Sequence, residues 1–186
     1  TATATNPSYN LYYYTSLTAA AQTSITPSTS TPGETIYYVG EGFNANCITP
    51  KKQIKVNVYP TPIISGPANF TVQGCSTSNI TNNNNTTLVY SSTPVNITLA
   101  QFNSNGGSIP NSGSIGNYNL SYVDAVTGSN PKVVTRTFTI SNVCATQITA
   151  VQTIIIEDTT APAIYYIDAV TDQCYVSLTP PTAPDN

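Results

Sequence analysis

The side chains that could do chemistry are four cysteines and eight acidic residues, in a chain of 186 residues without histidine. Because no CxxC pair occurs and histidine is absent, the sequence argues against a zinc site. It also excludes Ser-His-Asp and Cys-His catalysis. Cysteines at wide spacing in a β-rich, hydroxyl-rich chain indicate disulfides formed in an oxidising compartment. They are Cys47, Cys75, Cys144 and Cys174.

One disulfide is predicted within the chain, between Cys75 and Cys144. These residues fall near the end of the first strand pair and the start of the last strand of the central segment. The bridge would close a loop of about 70 residues and stabilise the fold by roughly 4 kcal/mol in the chain-entropy model. The alternative is two buried thiols. We expect Cys47 to have its partner outside this segment, and the pairing of Cys174 stays open.

The acidic residues are scattered, and they suggest two kinds of site. Asp124 and Glu157 could be drawn as a glycosidase carboxylate pair, but nothing around them supports that chemistry. Calcium at a module boundary is the better hypothesis, with Glu157 and Asp158 as hard oxygen ligands. Further oxygen ligands lie beyond them at Asp168, Asp172, Asp185 and Asn186. The alternative is solvated carboxylates that cap turns, and no other cofactor is expected.

Composition limits the fold and the partners. Charged residues make up 7% of the chain, against about 25% in a typical soluble protein. A net charge of −3 with five basic residues argues against a nucleic-acid partner. No apolar run approaches the roughly 20 residues of a membrane-spanning helix. Thirteen tyrosines and many β-branched residues predict an all-β fold with almost no helix.

A motif near residue 158 repeats 100 residues earlier and divides the chain. Residues 54–62 and 154–162 are each a β-branched run that ends in a Thr/Pro segment. After each copy, apolar residues resume and lead to a cysteine, Cys75 or Cys174. A period near 100 residues indicates an array of domains. We predict the C-terminal part of an immunoglobulin-like module in residues 1–60, a complete sandwich in 61–160 and the start of a third module in 161–186.

Strands must position these groups, and hydrophobic alternation locates them. Along residues 133–140, Val134, Arg136, Phe138 and Ile140 share one face. In the first module strands are predicted at residues 9–15, 17–23, 34–41 and 53–59. In the second they are predicted at residues 63–65, 69–73, 87–91, 95–99, 118–123, 133–141 and 147–156. Seven strands is the number expected of an immunoglobulin-like sandwich.

Two motifs carry a family resemblance. The C-terminal part of the chain resembles the hyalin-type (HYR) immunoglobulin-like repeat. The resemblance rests on Asp158-Thr159-Thr160-Ala161-Pro162, a following Ile-containing strand, Cys174 and Pro181-Thr182-Ala183-Pro184-Asp185-Asn186. The first part of the chain resembles a repeat of very large surface proteins of gliding Bacteroidetes, through Tyr12-Tyr13, residues 33–39 and Asn46-Cys47. Together they resemble a stretch of a SprB-like gliding-motility adhesin.

The resemblance implies a secreted, filamentous cell-surface adhesin without catalytic activity. Its immunoglobulin-like repeats would act as extended spacers or as weak modules that bind glycans or surfaces. The implied partners are neighbouring repeats, surface polysaccharide and the outer-membrane machinery of type IX secretion and gliding, with no membrane insertion. Asp158-Thr159-Thr160 also resembles an O-glycosylation site of Bacteroidetes, which makes Thr159 a candidate for modification. Exposed tyrosines are candidate sugar contacts. In the runs Tyr12-Tyr13-Tyr14 and Tyr165-Tyr166, alternate residues face opposite sides of a strand, so we expect half of them in the core and the others to be the candidates.

Two alternatives stay open on the sequence. The chain could be an accessory β-sandwich region of a large secreted glycan-degrading enzyme whose catalytic domain lies elsewhere. It could also be a fibre subunit that completes a partial module with a strand from a neighbouring chain. A catalytic domain in the same gene would favour the first, and polymer formation by the isolated chain would favour the second.

Overall fold

The structure is a computed structural model that describes residues 2–144 and 147–161. Over these residues the chain is all-β, with two sheets, one short α-helix and one 3₁₀ helix. The prediction of an all-β fold with almost no helix is confirmed. The described residues form two compact units, the first within Thr1–Pro62 together with Asn111–Asn117, and the second within Ile63–Pro110 together with the described residues after Asn117. Of the third predicted module, only Ala161 lies within the described residues.

The first unit contains a sheet of four antiparallel strands. They are β1 (Asn10–Tyr14), β2 (Gly33–Asn44), β3 (Cys47–Ile48) and β4 (Lys52–Val58). The long strand β2 pairs with all three others. Its register shifts between Gly42 and Asn44, opposite β3. A side chain at Gly42 would collide with the Cys47 carbonyl, so this close approach requires glycine.

The sheet of the first unit is only partly covered. Tyr14 is the one hydrophobic side chain on β1–β4 that is buried, and it is 2% exposed. The Lys51 ammonium lies over its ring, 3.6 Å from the ring centroid, in a cation–π contact. Other apolar side chains of the sheet, such as Tyr37 and Ile54, are half-buried. The sheet therefore has a thin core, which agrees with its small number of strands.

The second unit is built on a five-stranded sheet with the order β5-β9-β8-β7-β6. The strands are β5 (Phe70–Gln73), β6 (Val95–Asn96), β7 (Tyr118–Thr127), β8 (Lys132–Asn142) and β9 (Gln147–Glu157). The three long strands β7, β8 and β9 are antiparallel neighbours. The first strand of the unit, β5, pairs in parallel with its last strand, β9.

One face of this sheet forms the core of the second unit. Alternate residues of the long strands are buried, as expected where successive side chains point to opposite faces. Phe138 and Ile154 are fully buried at 0% exposed. On the opposite face Thr135 and Val151 are exposed. The alternation predicted for residues 133–140 is present, and Arg136 lies on the buried face with Phe138.

Helical turns and irregular segments cover the buried face. The α-helix α1 (Leu99–Ser104) places Phe102 against Phe138, with ring centroids 5.0 Å apart. The 3₁₀ helix (Thr77–Thr81) places Ile80 against Ile154 in a buried apolar cluster. Both elements begin with a capping box, in which the side chain before the helix and the side chain three residues later satisfy each other's backbone N–H.

Several predicted strands do not form. Residues 17–23 make a single backbone bridge, Tyr13 with Gln22, and residues 87–91 are irregular. The predicted strand over 95–99 stops at Asn96, because Thr98 caps α1. Residues 63–65 form one isolated bridge, Ser65 with Ser108. In the described part of 61–160 the chain thus makes one five-stranded sheet with a helical and irregular cover, instead of seven strands in two facing sheets.

Candidate functional site

The predicted boundary site lies where β9 ends. Thr159 and Gln73 are joined by two hydrogen bonds: Gln73 Nε2 donates to Thr159 Oγ1 at 2.6 Å, and Thr159 N donates to Gln73 Oε1 at 3.2 Å. Gly74, the residue after β5, donates its backbone N–H to the Glu157 carbonyl at 3.1 Å. The residues that follow β9 and β5 are therefore each bonded to the last residue of the other strand.

The Asp158 carboxylate is held by groups of its own neighbourhood. Its Oδ1 accepts the backbone N–H of Thr160 at 2.9 Å, and its Oδ2 accepts the Cys75 thiol at 3.6 Å. Its backbone N–H donates to Asn130 Oδ1 at 3.2 Å. The Thr160 N–H is the main cause that holds the pKa of Asp158 below its ordinary value. The bonds from Thr160 and Cys75 stabilise the ionised form of the carboxylate.

The calcium hypothesis stays a prediction. Glu157 and Asp158 are adjacent and partly exposed at the end of β9. Within residues 2–144 and 147–161, no group of three or more acidic, His or Cys side chains is arranged to hold a metal ion. The other proposed ligands lie outside the described residues. They are Asp168, Asp172, Asp185 and Asn186.

The glycosylation candidate Thr159 is exposed. Its hydroxyl oxygen accepts the Gln73 amide, so the side chain is oriented but not covered. Attachment of a glycan would compete with this hydrogen bond, because a substituent on Oγ1 crowds the site of the amide. Modification of Thr159 stays a prediction.

The predicted disulfide between Cys75 and Cys144 is wrong. Cys75 follows β5, and the last residue of β5, Gln73, lies beside Glu157. Because Lys132 pairs with Ile156, Cys75 lies near the Lys132 end of β8. The Lys132 ammonium donates to the Cys75 carbonyl at 2.7 Å. Cys144 follows the other end of β8 and is an exposed free thiol, as is Cys47. Ten residues of strand separate the two ends by about 33 Å, far more than the roughly 7 Å that a bridge between Cα atoms allows. Cys174 lies outside the described residues.

The carboxylate pair drawn from Asp124 and Glu157 has no catalytic geometry. Asp124 is 4% exposed on the core face of β7 and is engaged by Arg136. Glu157 lies at the end of β9, beside Gln73. Because Asp124 is buried and bonded, it is not available as an acid or base toward a polysaccharide.

A buried ion pair is the main feature that the sequence did not predict. Arg136 Nε donates to Asp124 Oδ1 at 2.8 Å, and Nη2 donates to Oδ2 at 2.8 Å. Arg136 Nη2 also donates to the Val89 carbonyl at 2.9 Å. Asp124 Oδ2 accepts the backbone N–H of Ser91 at 3.0 Å. The pair therefore fixes the irregular segment around residues 89–91 to β7 and β8.

Tyr122 completes this network. Its ring lies 4.6 Å from the Arg136 guanidinium carbon, and its hydroxyl donates to the Val89 carbonyl at 2.8 Å. Burial raises the pKa of Tyr122, because it disfavours the charged phenolate relative to the neutral hydroxyl that donates this bond. Arg136 Nη1 is buried without a hydrogen-bond partner among the described residues. The sequence signal for this network was a charged residue, Arg136, on an apolar face, but its partner could not be named.

Two cavities place tyrosine beside polar groups. In the second unit a cavity of about 310 Å³ is lined by Thr77, Ser78, Thr81, Val89 and Tyr90. In the first unit a cavity of about 360 Å³ has walls that include Tyr13 and Tyr37. Of the other predicted sugar contacts, Tyr12 is half-buried, Tyr14 is buried, and Tyr165 and Tyr166 lie outside the described residues. The cavity in the second unit is lined by hydroxyl groups and one aromatic ring and has no charged side chain in its lining.

Comparisons with known proteins do not identify a family. No protein-family model, no curated protein and no solved structure matches the chain. Among the described residues, none of the helices has the length and apolarity needed to cross a membrane.

Proposed function

We propose that this chain is a non-catalytic segment of a secreted, filamentous cell-surface adhesin, in which β-modules serve as extended spacers. The observation that supports the proposal best is the parallel pairing of β5 with β9, the first and last strands of the second unit. The chain runs in the same direction when it enters the sheet as when it leaves it. A module with this connectivity passes the chain onward, as an extended array requires.

The chemistry of the side chains agrees with a structural role. Asp124 is paired with Arg136 in the core, and Glu34 is paired with Lys55 at 3.2 Å on the surface. Charged residues are 7% of the sequence, so the surface exerts little electrostatic attraction on charged partners. Hydroxyl and amide groups provide solubility instead.

Weak binding of surface polysaccharide is part of the proposal. The cavity beside Tyr90 combines an aromatic ring with the hydroxyls of Thr77, Ser78 and Thr81. Neutral sugars are bound by stacking on aromatic rings and by hydrogen bonds to hydroxyl groups. Such a contact would be weak for one module and would gain strength from repetition along a filament.

Immunogold electron microscopy of the cells that produce the protein would test the proposal. An antibody against this chain should label long thin filaments outside the cell, and the label should disappear when the gene is deleted. Labelling confined to the cell interior, or to a compact soluble particle, would contradict the proposed location and role.

A fibre subunit that exchanges strands is the second candidate, and the first unit favours it. Its sheet buries one hydrophobic side chain on β1–β4, Tyr14, and leaves Tyr37, Val39 and Ile54 half-buried. A strand or layer supplied by another chain would cover this surface. Light scattering during size-exclusion chromatography would test this candidate, because a monomer at every accessible concentration would exclude it.

A further inference from the structure

We propose that residues 68–75 and residues 152–159 form a mechanical clamp that resists tension applied along the chain through the second unit. We call these two segments the terminal-strand clamp. The proposal depends on bond geometry within this unit and holds for any protein in which the unit is pulled through its ends. The proposal therefore does not depend on the proposed location on the cell surface, and each can fail without the other.

The centre of the terminal-strand clamp is the parallel ladder between β5 and β9. Phe70 lies beside Ile154, and Gln73 lies beside Glu157. A force on the ends of the unit pulls the start of β5 backward and the end of β9 forward. Neighbouring parallel strands under this force slide past each other along their length. Because the hydrogen bonds connect the two strands sideways, the load is shared by all of them at once.

Side chains lengthen the clamp before β5. Gln152 Nε2 donates to the Ala68 carbonyl at 2.7 Å, and Gln152 is 1% exposed. The backbone N–H of Thr153 donates to Asn69 Oδ1 at 2.7 Å. Two residues before the ladder are thus already bonded to β9.

Further bonds lengthen the clamp after β5. Gly74 donates to the Glu157 carbonyl, and Gln73 and Thr159 exchange two hydrogen bonds. The Cys75 thiol donates to Asp158 Oδ2 at 3.6 Å. The bonded region is consequently about twice as long as the four residues of β5.

The ladder is also protected from water on one side. Val72 is 6% exposed and packs in one buried cluster with Ile154 and Ile156, which are 0% and 1% exposed. Ile80 and Val134 belong to the same cluster. Water that could replace a loaded backbone bond has no access from this face, so the barrier to sliding rises. Forced unfolding depends on this barrier and not on the equilibrium stability.

The antiparallel pair β7–β8 provides the comparison within the same unit. Asn119 lies beside Ser141 at the open end of this pair. A force that separates these two residues loads the hydrogen bonds one after another, starting at that end. The same fold should therefore be strong when it is pulled from its ends and weak when it is pulled between residues 119 and 141.

Single-molecule force spectroscopy of the full chain tests the proposal. Handles are attached either at the two chain ends or, through azide-bearing residues, at positions 119 and 141. In the end-to-end direction, opening of residues 68–159 is recognised by the release of roughly 300 Å of chain, and in the other direction, opening between positions 119 and 141 releases roughly 70 Å. We expect a several-fold higher rupture force for the end-to-end direction. Equal forces in the two directions would overturn the proposal.

A variant and a matched control identify the bonds. Asn69→Ala with Gln73→Ala removes three side-chain hydrogen bonds at exposed positions. Thr71→Ala alters an exposed side chain of the same strand that makes none of these bonds. The double variant should lower the end-to-end force toward the value for the 119–141 direction, whereas Thr71→Ala should leave it unchanged. An unchanged force in the double variant, with circular dichroism showing a folded chain, would also overturn the proposal.

Discussion

Asp124 on β7 lies opposite Arg136 on β8, and its carboxylate accepts two hydrogen bonds of 2.8 Å from the Arg136 guanidinium inside the core. Both side chains are 0% exposed. The pair also binds backbone groups of Val89 and Ser91, so it connects the sheet with a segment that has no regular structure of its own. A buried pair of this kind matters for stability mainly through what happens when one partner is removed.

Asp124→Ala should destabilise the second unit strongly. It leaves the Arg136 guanidinium buried without its counter-ion, which typically costs about 3–5 kcal/mol of unfolding free energy. Urea unfolding followed by circular dichroism would measure the loss. Glu34→Gln is the control, because it disrupts an exposed ion pair that should contribute about 1 kcal/mol or less.

Substitution of both partners should be better tolerated than Asp124→Ala alone. In Asp124→Leu with Arg136→Met, no charge remains in the core, and apolar side chains fill the space. We expect the double variant to be more stable than Asp124→Ala. A double variant that is less stable than the single one would show that the hydrogen bonds to Val89 and Ser91, and not the unpaired charge, dominate.

Phe102→Ala should remove the contact that holds α1 on the sheet. Phe102 is 0% exposed and packs against Phe138. Loss of a buried phenylalanine side chain costs about 3–5 kcal/mol, because a cavity remains. The same urea titration would measure it. Val143→Ala is the control, because Val143 is 56% exposed, and it should change the free energy of unfolding by about 0.5 kcal/mol or less. Equal effects of the two substitutions would contradict the described packing.

The Asp158 carboxyl should titrate below its ordinary pKa of 3.8. Since the folded-state pKa is lowered, its contribution to stability is present above the unfolded-state pKa and is lost as the pH falls through the folded-state pKa. Thr160→Pro removes the N–H that is the main cause, so the pKa of Asp158 should rise. Thr160→Ala keeps this N–H and should raise the pKa less. Carbon-detected NMR titration would give both values, and the reverse order would contradict the assignment.

Cys47 and Cys144 should react with iodoacetamide in the native chain, because both are exposed free thiols. Mass spectrometry of peptides from chain alkylated without reductant would locate the label. Chain that is first unfolded and reduced serves as the control for complete labelling. A peptide pair that links Cys75 to Cys144 would contradict the strand order, since these residues lie at opposite ends of β8.

The long strands were predictable because their signal is local. In β8, Val134, Phe138 and Ile140 alternate with threonines, and the predicted strand over 133–141 differs from the observed strand by one residue at each end. The helix α1 was missed although Thr98 and Gln101 carry the capping-box pattern. The apolar residues near it resembled a strand continuing from Val95, but the Thr98 cap ends the strand and begins the helix.

The candidate site was predictable only in part. Asp158 and Thr159 do lie at a strand end, as the Thr/Pro motif indicated, but their partners Gln73 and Cys75 are more than 80 residues away in sequence. The cysteine pairing failed for the same reason. Spacing alone did not show that β5 runs parallel to β9, which places Cys75 and Cys144 at opposite ends of β8.

The sequence by itself determined the class of fold, because the alternation of β-branched residues depends only on near neighbours in the chain. It also determined the absence of histidine-based chemistry, because composition does not depend on neighbours at all. Tertiary structure alone decided that Asp124 meets Arg136, that β5 pairs with β9, and that Phe102 covers Phe138. These contacts join segments separated by many residues. Their formation depends on how the whole chain buries its apolar face, and no local pattern records that outcome.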